Sequence, residues 1–164
     1  MPEVVESSVV GASPEAVWRR VSSFEGVNDE LRPVLRMTAP RHLRALDPAE
    51  VPLGERLFRS WVLLFGVLPF DYDDLTLVRI DPGRGFLERS KMLSQRLWEH
   101  ERTLQPAAGG CRVTDRLRFE PRVPGTGALS AAFVRRVFRH RHRRLRRRFG
   151  SATPPPGEGP SAPS

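Results

Sequence analysis

Two neighbouring segments place polar residues where they could do chemistry. In RLWEHERTL (96–104) strand alternation puts Trp98, His100, Arg102 and Leu104 on one face and Leu97, Glu99, Glu101 and Thr103 on the other. In CRVTDRLRFE (111–120), Cys111, Val113, Leu117 and Phe119 share a face with Asp115, the one carboxylate among the inward residues. If the hairpin closes with Leu104 opposite Cys111, antiparallel counting sets Arg102 opposite Val113, His100 opposite Asp115 and Trp98 opposite Leu117. A slip of two residues pairs Arg102 with Asp115 instead. Either register leaves a small charged cluster in an apolar surface. A histidine beside a carboxylate can act as a general acid or base near neutral pH. The same groups can orient a ligand in a mostly apolar pocket, or satisfy one another as a buried structural pair. All three alternatives stand at this level.

Other candidates carry less. Asp71, Asp73 and Asp74 in FDYDDL could hold a cation, but two of them alternate onto one strand face with no further ligands spaced nearby, so a solvated strand edge is the better reading. His140 and His142 are two apart on a helical segment and share no face as a metal pair would need. Cys111 is the only cysteine and reads as packing. No phosphate-cradling loop, nucleophile elbow or zinc-ligand spacing occurs, and neither metal nor cofactor is expected.

The elements that must position these residues are legible from period and punctuation. EVVESSVV (3–10) reads as a strand, and Ser13-Pro14-Glu15 supplies an N-cap, a first-turn proline and an acid for a helix to about residue 23, which Gly26 ends. A second short helical piece, VNDELR, follows. Strands are expected near 33–39, 55–65, 71–80, 85–92, 95–105 and 111–121, with turns at Asp81-Pro82-Gly83-Arg84-Gly85 and Pro106-Ala107-Ala108-Gly109-Gly110. Consecutive hairpins of this kind make an antiparallel sheet. A helical period returns with Leu129, Phe133, Val134, Val137, Phe138, Leu145 and Phe149. Residues 150–164, with five prolines and three glycines, read as a disordered tail beyond one domain over 1–149.

ASPEAVW after the first strand, RLWEHERTL followed by GGCRVTDRLRFEP, and a last helix entering FRHRHRRL together resemble the START-like, or SRPBCC, superfamily, which includes polyketide cyclases and the birch-pollen-allergen-like helix-grip proteins. The resemblance covers roughly residues 3–149. A related ligand-binding branch shows Trp-x-His-x-His in the first of those strands; Trp98 and His100 match, and Arg102 stands in the second histidine's place. The resemblance implies an α+β helix-grip fold: a curved seven-stranded antiparallel sheet around a long C-terminal helix, with two short helices after strand 1 and an apolar cavity between sheet and helix. It also implies binding or carriage of a hydrophobic small molecule, lipid- or polyketide-like. The ligand-binding expectation falls on Trp98, His100, Arg102, Asp115 and Leu117, with Trp61, Phe65, Tyr72, Phe133 and Val137 as cavity wall or core. The enzyme alternative is a cyclase or dehydratase using His100 and Asp115.

Charge bounds the partners. The 27 basic residues exceed the 19 acidic ones, for a net charge of +8, but setting aside the nine arginines of 135–148 leaves 18 against 19. Nucleic-acid surfaces spread basic residues over several elements, so that class of partner is not favoured. From Arg139 to Arg148 only Leu145 is apolar, so this half of the helix is expected to face solvent. Arg139, Arg143, Arg144, Arg146, Arg147 and Arg148 are then candidates for contact with an anionic membrane or acidic partner. MPEVVESSVVGASPEAV lacks the order of a signal peptide, and WVLLFGVLPF (61–70) is about half the roughly 20 residues of a membrane span. The expected compartment is the cytoplasm.

Overall fold

The fold starts from β1 (Glu3–Val10), whose inward Val4, Ser8 and Val10 alternate with exposed positions. Ser13 then caps α1 (Pro14–Val21), its hydroxyl accepting from the Ala16 amide at 3.2 Å. Ser23 caps α2 (Phe24–Leu31) in the same way through the Gly26 amide at 3.0 Å. Gly26 therefore lies inside the second helix rather than ending the first. It must be glycine there because a Cβ would stand 1.8 Å from the Arg20 carbonyl oxygen, where the two helices abut. The computed structural model describes residues 1–152; the segment expected to form a tail lies outside the described residues from 153 onward, and Ser151 still bridges to Val10.

Six further strands follow: β2 (Leu35–Met37), β3 (Arg56–Leu64), β4 (Leu68–Asp81), β5 (Gly85–Met92), β6 (Gln95–Ala107) and β7 (Gly110–Pro121). All pair antiparallel in the order β1-β7-β6-β5-β4-β3-β2, so β1 closes onto the last strand and β2 forms the far edge. Irregularities at Arg56/Phe58, Val62/Leu63, Leu77/Arg79 and Gln95/Leu97 bend the sheet, which curls into a half-barrel. α3 (Gly127–Phe149) lies in the concavity and packs on β1, β7 and α2. The α+β helix-grip architecture expected from the sequence is the one observed.

The β6–β7 register is the second of the two possibilities. Leu104 pairs with Val113 and Arg102 with Asp115, while His100 pairs with Leu117 and Trp98 with Phe119. The reason is the turn: pairing continues through Pro106↔Cys111 to Ala107↔Gly110, leaving a two-residue tip at Ala108-Gly109 with Gly109 at φ 76°, not a five-residue loop. The last helix also departs from expectation. Val134, Phe138, Arg141, His142 and Leu145 form its buried stripe, so the 3.6-residue period runs through the arginine-rich half and carries two polar side chains into the interior.

Candidate functional site

The polar interior is organised around Arg102, which is fully buried on β6. Its Nε and Nη2 donate to the two Asp115 oxygens at 2.7 Å each, and Nη1 and Nη2 donate to Glu30 on α2 at 2.8 and 3.0 Å. This double fork is the geometry in which a guanidinium binds carboxylates most strongly. Arg141 of α3 adds a second cation to Glu30 at 2.9 Å. Asp115 also accepts from His100 Nε2 at 2.8 Å and His142 Nε2 at 2.9 Å, an acceptor pattern that assigns the proton on each ring. His142 Nδ1 bonds Ser8 at 2.8 Å. Burial works to raise the Asp115 and Glu30 carboxyls, but the Arg102 charge beside both, with Arg141 beside Glu30, holds Glu30 below and Asp115 well below the usual carboxylate range.

In front of this network lies an apolar recess of about 460 Å³ between the sheet and the three helices. Val27, Leu31, Val62, Leu75, Leu77, Met92, Val134 and Phe138 supply much of its wall. Half-exposed Phe70 and Phe133 also line it, their rings 5.6 Å apart, with exposed Leu129 beside them. Of the residues expected to contact a ligand, Trp98, His100, Phe133 and Val137 line this recess. Arg102, Asp115 and Leu117 do not: all three are sealed in the layer behind it. Trp61, Phe65 and Tyr72 do not either. Trp61 and Tyr72 have the opposite strand parity from Ser60, Val62, Asp71 and Asp73, and they stack edge-on at 5.8 Å on the outer face with Arg59 4.0 Å over the tyrosine. Phe65 sits at the β3–β4 turn with φ 52° and 67% of its surface exposed.

Sequence reasoning missed the polar end of the recess. Asp71 and Asp73 are not a solvated edge; each is only 3% exposed, and both line the recess with Glu88, Ser94, Gln95 and His100. Asp71 is satisfied by the Tyr72 amide at 2.8 Å, the Ser94 amide at 3.2 Å and the Ser94 hydroxyl. Glu88 accepts from Ser90 at 2.8 Å and lies 3.8 Å from His100 Nδ1. Asp73 has an oxygen, Oδ1, with no hydrogen-bond donor. Burial first, and then the neighbouring Glu88 charge, push the Asp73 carboxyl well above its ordinary range. The available signal was parity: Asp71 and Asp73 share the phase of Leu75 and Leu77, and Glu88 that of Phe86 and Met92.

The arginines expected at an anionic surface divide. Arg144 donates to the Asp29 carbonyl at 3.0 Å and carboxylate at 3.1 Å, Arg146 to Ser8 at 2.6 Å and Arg139 to Glu6 at 3.1 Å. Arg144 is half-buried, Arg139 and Arg146 are exposed apart from these contacts, and Arg143, Arg147 and Arg148 are exposed. Among the described residues no group of three His, Cys, Asp or Glu side chains is placed to hold a metal, and no helix is long and apolar enough to cross a membrane.

Comparison with known proteins bears on the fold. Protein CV1439 of Chromobacterium violaceum superposes with a TM-score of 0.68 at 14% identity, over 88% of this chain and 95% of its own. A START superfamily protein of Mycobacterium smegmatis gives 0.64 at 13% identity, over 90% and 96%. DynU16, a protein in the dynemicin biosynthetic locus, gives 0.56 at 16% identity over 92% of this chain, which spans about half of that larger one (48%). At these identities the likeness establishes the helix-grip fold shared with START proteins, and chemistry must be argued from the site. No curated protein matches the chain in sequence. Residues 8–149, and with them both layers of the buried site, match the family described as a domain of unknown function, DUF8410, and the chain belongs to that family.

Proposed function

We propose that the protein binds a largely apolar small molecule in the recess between the curled sheet and α3. The observation that carries this reading is the recess itself: about 460 Å³, walled largely by aliphatic and aromatic side chains, with the carboxyl groups of Asp71, Asp73 and Glu88, together with His100, among its polar groups. That size falls within the roughly 300–1,000 Å³ of small-molecule sites, and the mixture of apolar wall and convergent polar points is their usual composition. The half-exposed Phe70 and Phe133, with Leu129, form an entrance of matching character. Fold likeness to a START superfamily protein and to a protein of the dynemicin locus supports a lipid- or polyketide-like ligand. Native mass spectrometry of the protein purified from its own cells tests the reading: a bound apolar molecule is expected, and it should be absent from Val137→Trp, which fills the recess. An identical mass with and without that substitution, and no uptake of an apolar fluorophore by the parent, would sink it.

A second reading, proton transfer by His100, is favoured by one contact. Asp115 fixes Nε2 at 2.8 Å, so Nδ1 is left facing the Glu88 side of the recess. It requires turnover that falls by about tenfold to a hundredfold or more in His100→Ala. Ligand binding without turnover across candidate substrates counts against it.

A further inference from the structure

The buried charges do not balance. Among the described residues five carboxyl groups are buried, Glu30, Asp71, Asp73, Glu88 and Asp115, against two guanidinium groups, Arg102 and Arg141. The imbalance is localised. Both guanidiniums are engaged by Glu30 and Asp115, and Arg141, the one arginine on the recess wall, also lies 4.8 Å over the Phe138 ring. Asp71 has three donors of its own. What remains is the Asp73–Glu88 pair, which faces one serine hydroxyl and His100 Nδ1 at 3.8 Å.

The hydrogen-bonding inventory points the same way. Ser90 and Ser94 already donate to Glu88 and Asp71, so neither hydroxyl hydrogen is free for a ligand. Of the three buried side-chain atoms without a partner among the described residues, Arg20 Nε lies away from the recess, and the two on its wall are both acceptors: Asp73 Oδ1, and Gln95 Oε1 on a residue 6% exposed. Gln95 belongs to a different strand and carries no charge, so its orphan acceptor is independent of the acidic pair. A site with spare acceptors, excess negative charge and an apolar wall fits a ligand that brings hydrogen-bond donors and positive charge on an apolar body.

We infer that the recess selects amphiphilic amines, with a protonated primary or secondary amine seated between Asp73, Glu88 and Gln95 and the hydrocarbon along Val62, Leu75 and Val137. Without an ammonium, burial and the neighbouring Glu88 charge favour a proton on Asp73, which does the neutralising that the ammonium does in the complex. An ammonium supplies up to three donors, as the spare acceptors require, whereas a carboxylate ligand would bring like charge and no donor. A neutral alcohol would fill the recess but bring one donor and no charge, leaving that proton where it is. This inference rests on the recess being a binding site, and it specifies the headgroup.

Calorimetric titration of the full chain with octylamine, octan-1-ol and octanoate, three headgroups on one chain length, tests it. Octylamine should bind at least about tenfold more tightly than octanol, the increment expected of charge-assisted hydrogen bonds in a buried site. Its binding should release a proton, read from the dependence of the heat on the buffer's ionisation enthalpy. The Asp73→Asn/Glu88→Gln double variant, folded by circular dichroism, should lose the amine preference and keep octanol binding. If octanol binds as tightly as octylamine, if octanoate binds best, or if the amine preference survives in the double variant, the headgroup assignment is wrong while the apolar recess stands. If none of the three binds, both readings fall.

Discussion

Arg102 and Asp73 are buried to nearly the same degree and stand at opposite ends of the electrostatic balance. Arg102 is over-partnered, with both carboxylates forked onto it. Replacing it with methionine keeps the volume and leaves Glu30 and Asp115 short of a cation, so Arg102→Met should cost about 3–5 kcal/mol in urea denaturation, part of it recovered by adding Asp115→Asn. The pH dependence follows from the directions of shift. Asp115 and Glu30 are depressed, so their contribution is present above the unfolded values of about 3.9 and 4.3 and is lost as pH falls through the folded ones. Asp73 is raised, so its contribution is complete below about pH 3.9 and is lost as pH rises through the folded value. The melting temperature of Asp73→Asn relative to the parent should therefore climb with pH above about 4, because the amide never pays the ionisation cost. A flat difference across pH would mean that Asp73 ionises in the fold without penalty. Asp115, sealed behind the recess, is not a ligand contact, and its alanine variant should lose stability before it loses selectivity.

At the level of elements, close approach of backbones decides what the strands can carry. Gly110 opens β7 where β1 ends, and a Cβ there would lie 1.8 Å from the Val10 carbonyl oxygen. Gly110→Ala should cost at least about 2 kcal/mol by pushing two backbones apart. Gly127→Ala at the start of α3, whose Cβ would meet only the Pro2 side chain at 3.4 Å, should be neutral or mildly stabilising. Equal urea midpoints for the two variants would show that the β1–β7 contact yields. The same tight hairpin marks where the sequence could be read and where it could not. Element types, their order and the inward faces of β6 and β7 follow from alternation and turn residues. The register depended on whether Pro106 and Gly110 belong to the loop or to the strands, and composition treats both as loop formers. The helix period that placed Val134 and Phe138 inward also demanded Arg141 and His142, yet their charge argued for solvent. What outweighed it were partners distant in sequence, Glu30 on α2 and Asp115 on β7, which no local pattern announces. Glu30, Asp73 and Glu88 were missed for the same reason: a buried carboxylate is recognised by what surrounds it.

For the whole molecule, the net charge of +8 is a sum over two separate populations. The interior holds more carboxyls than guanidiniums, and the positive excess lies outside, along α3. That helix does three things at once. Its buried stripe closes the recess with Val134 and Phe138, its Arg141 and His142 tie the sheet to α2, and Arg144 and Arg146 fasten its last turns to Asp29 and Ser8. Only part of the arginine run is therefore free for a partner: Arg143, Arg147 and Arg148 are exposed, with Arg135 and Arg136 about two to four turns earlier, while Arg139 and Arg146, also exposed, are tied to Glu6 and Ser8. If an anionic surface is the partner, these carry the attraction and the anchored pair does not. The chain should then bind phosphatidylserine vesicles but not phosphatidylcholine vesicles, and the binding should fade as salt rises through the physiological range, where the screening length is about 8 Å. Arg143→Gln/Arg147→Gln/Arg148→Gln should abolish it with stability changed by no more than about 0.5 kcal/mol, since exposed charges contribute little. Arg144→Gln/Arg146→Gln should do the reverse, lowering the melting temperature because Asp29 and Ser8 lose their donors while vesicle binding largely persists. If the parent ignores both vesicle types, or if the two variants lose binding equally, the exposed arginines serve only to keep the end of α3 in water.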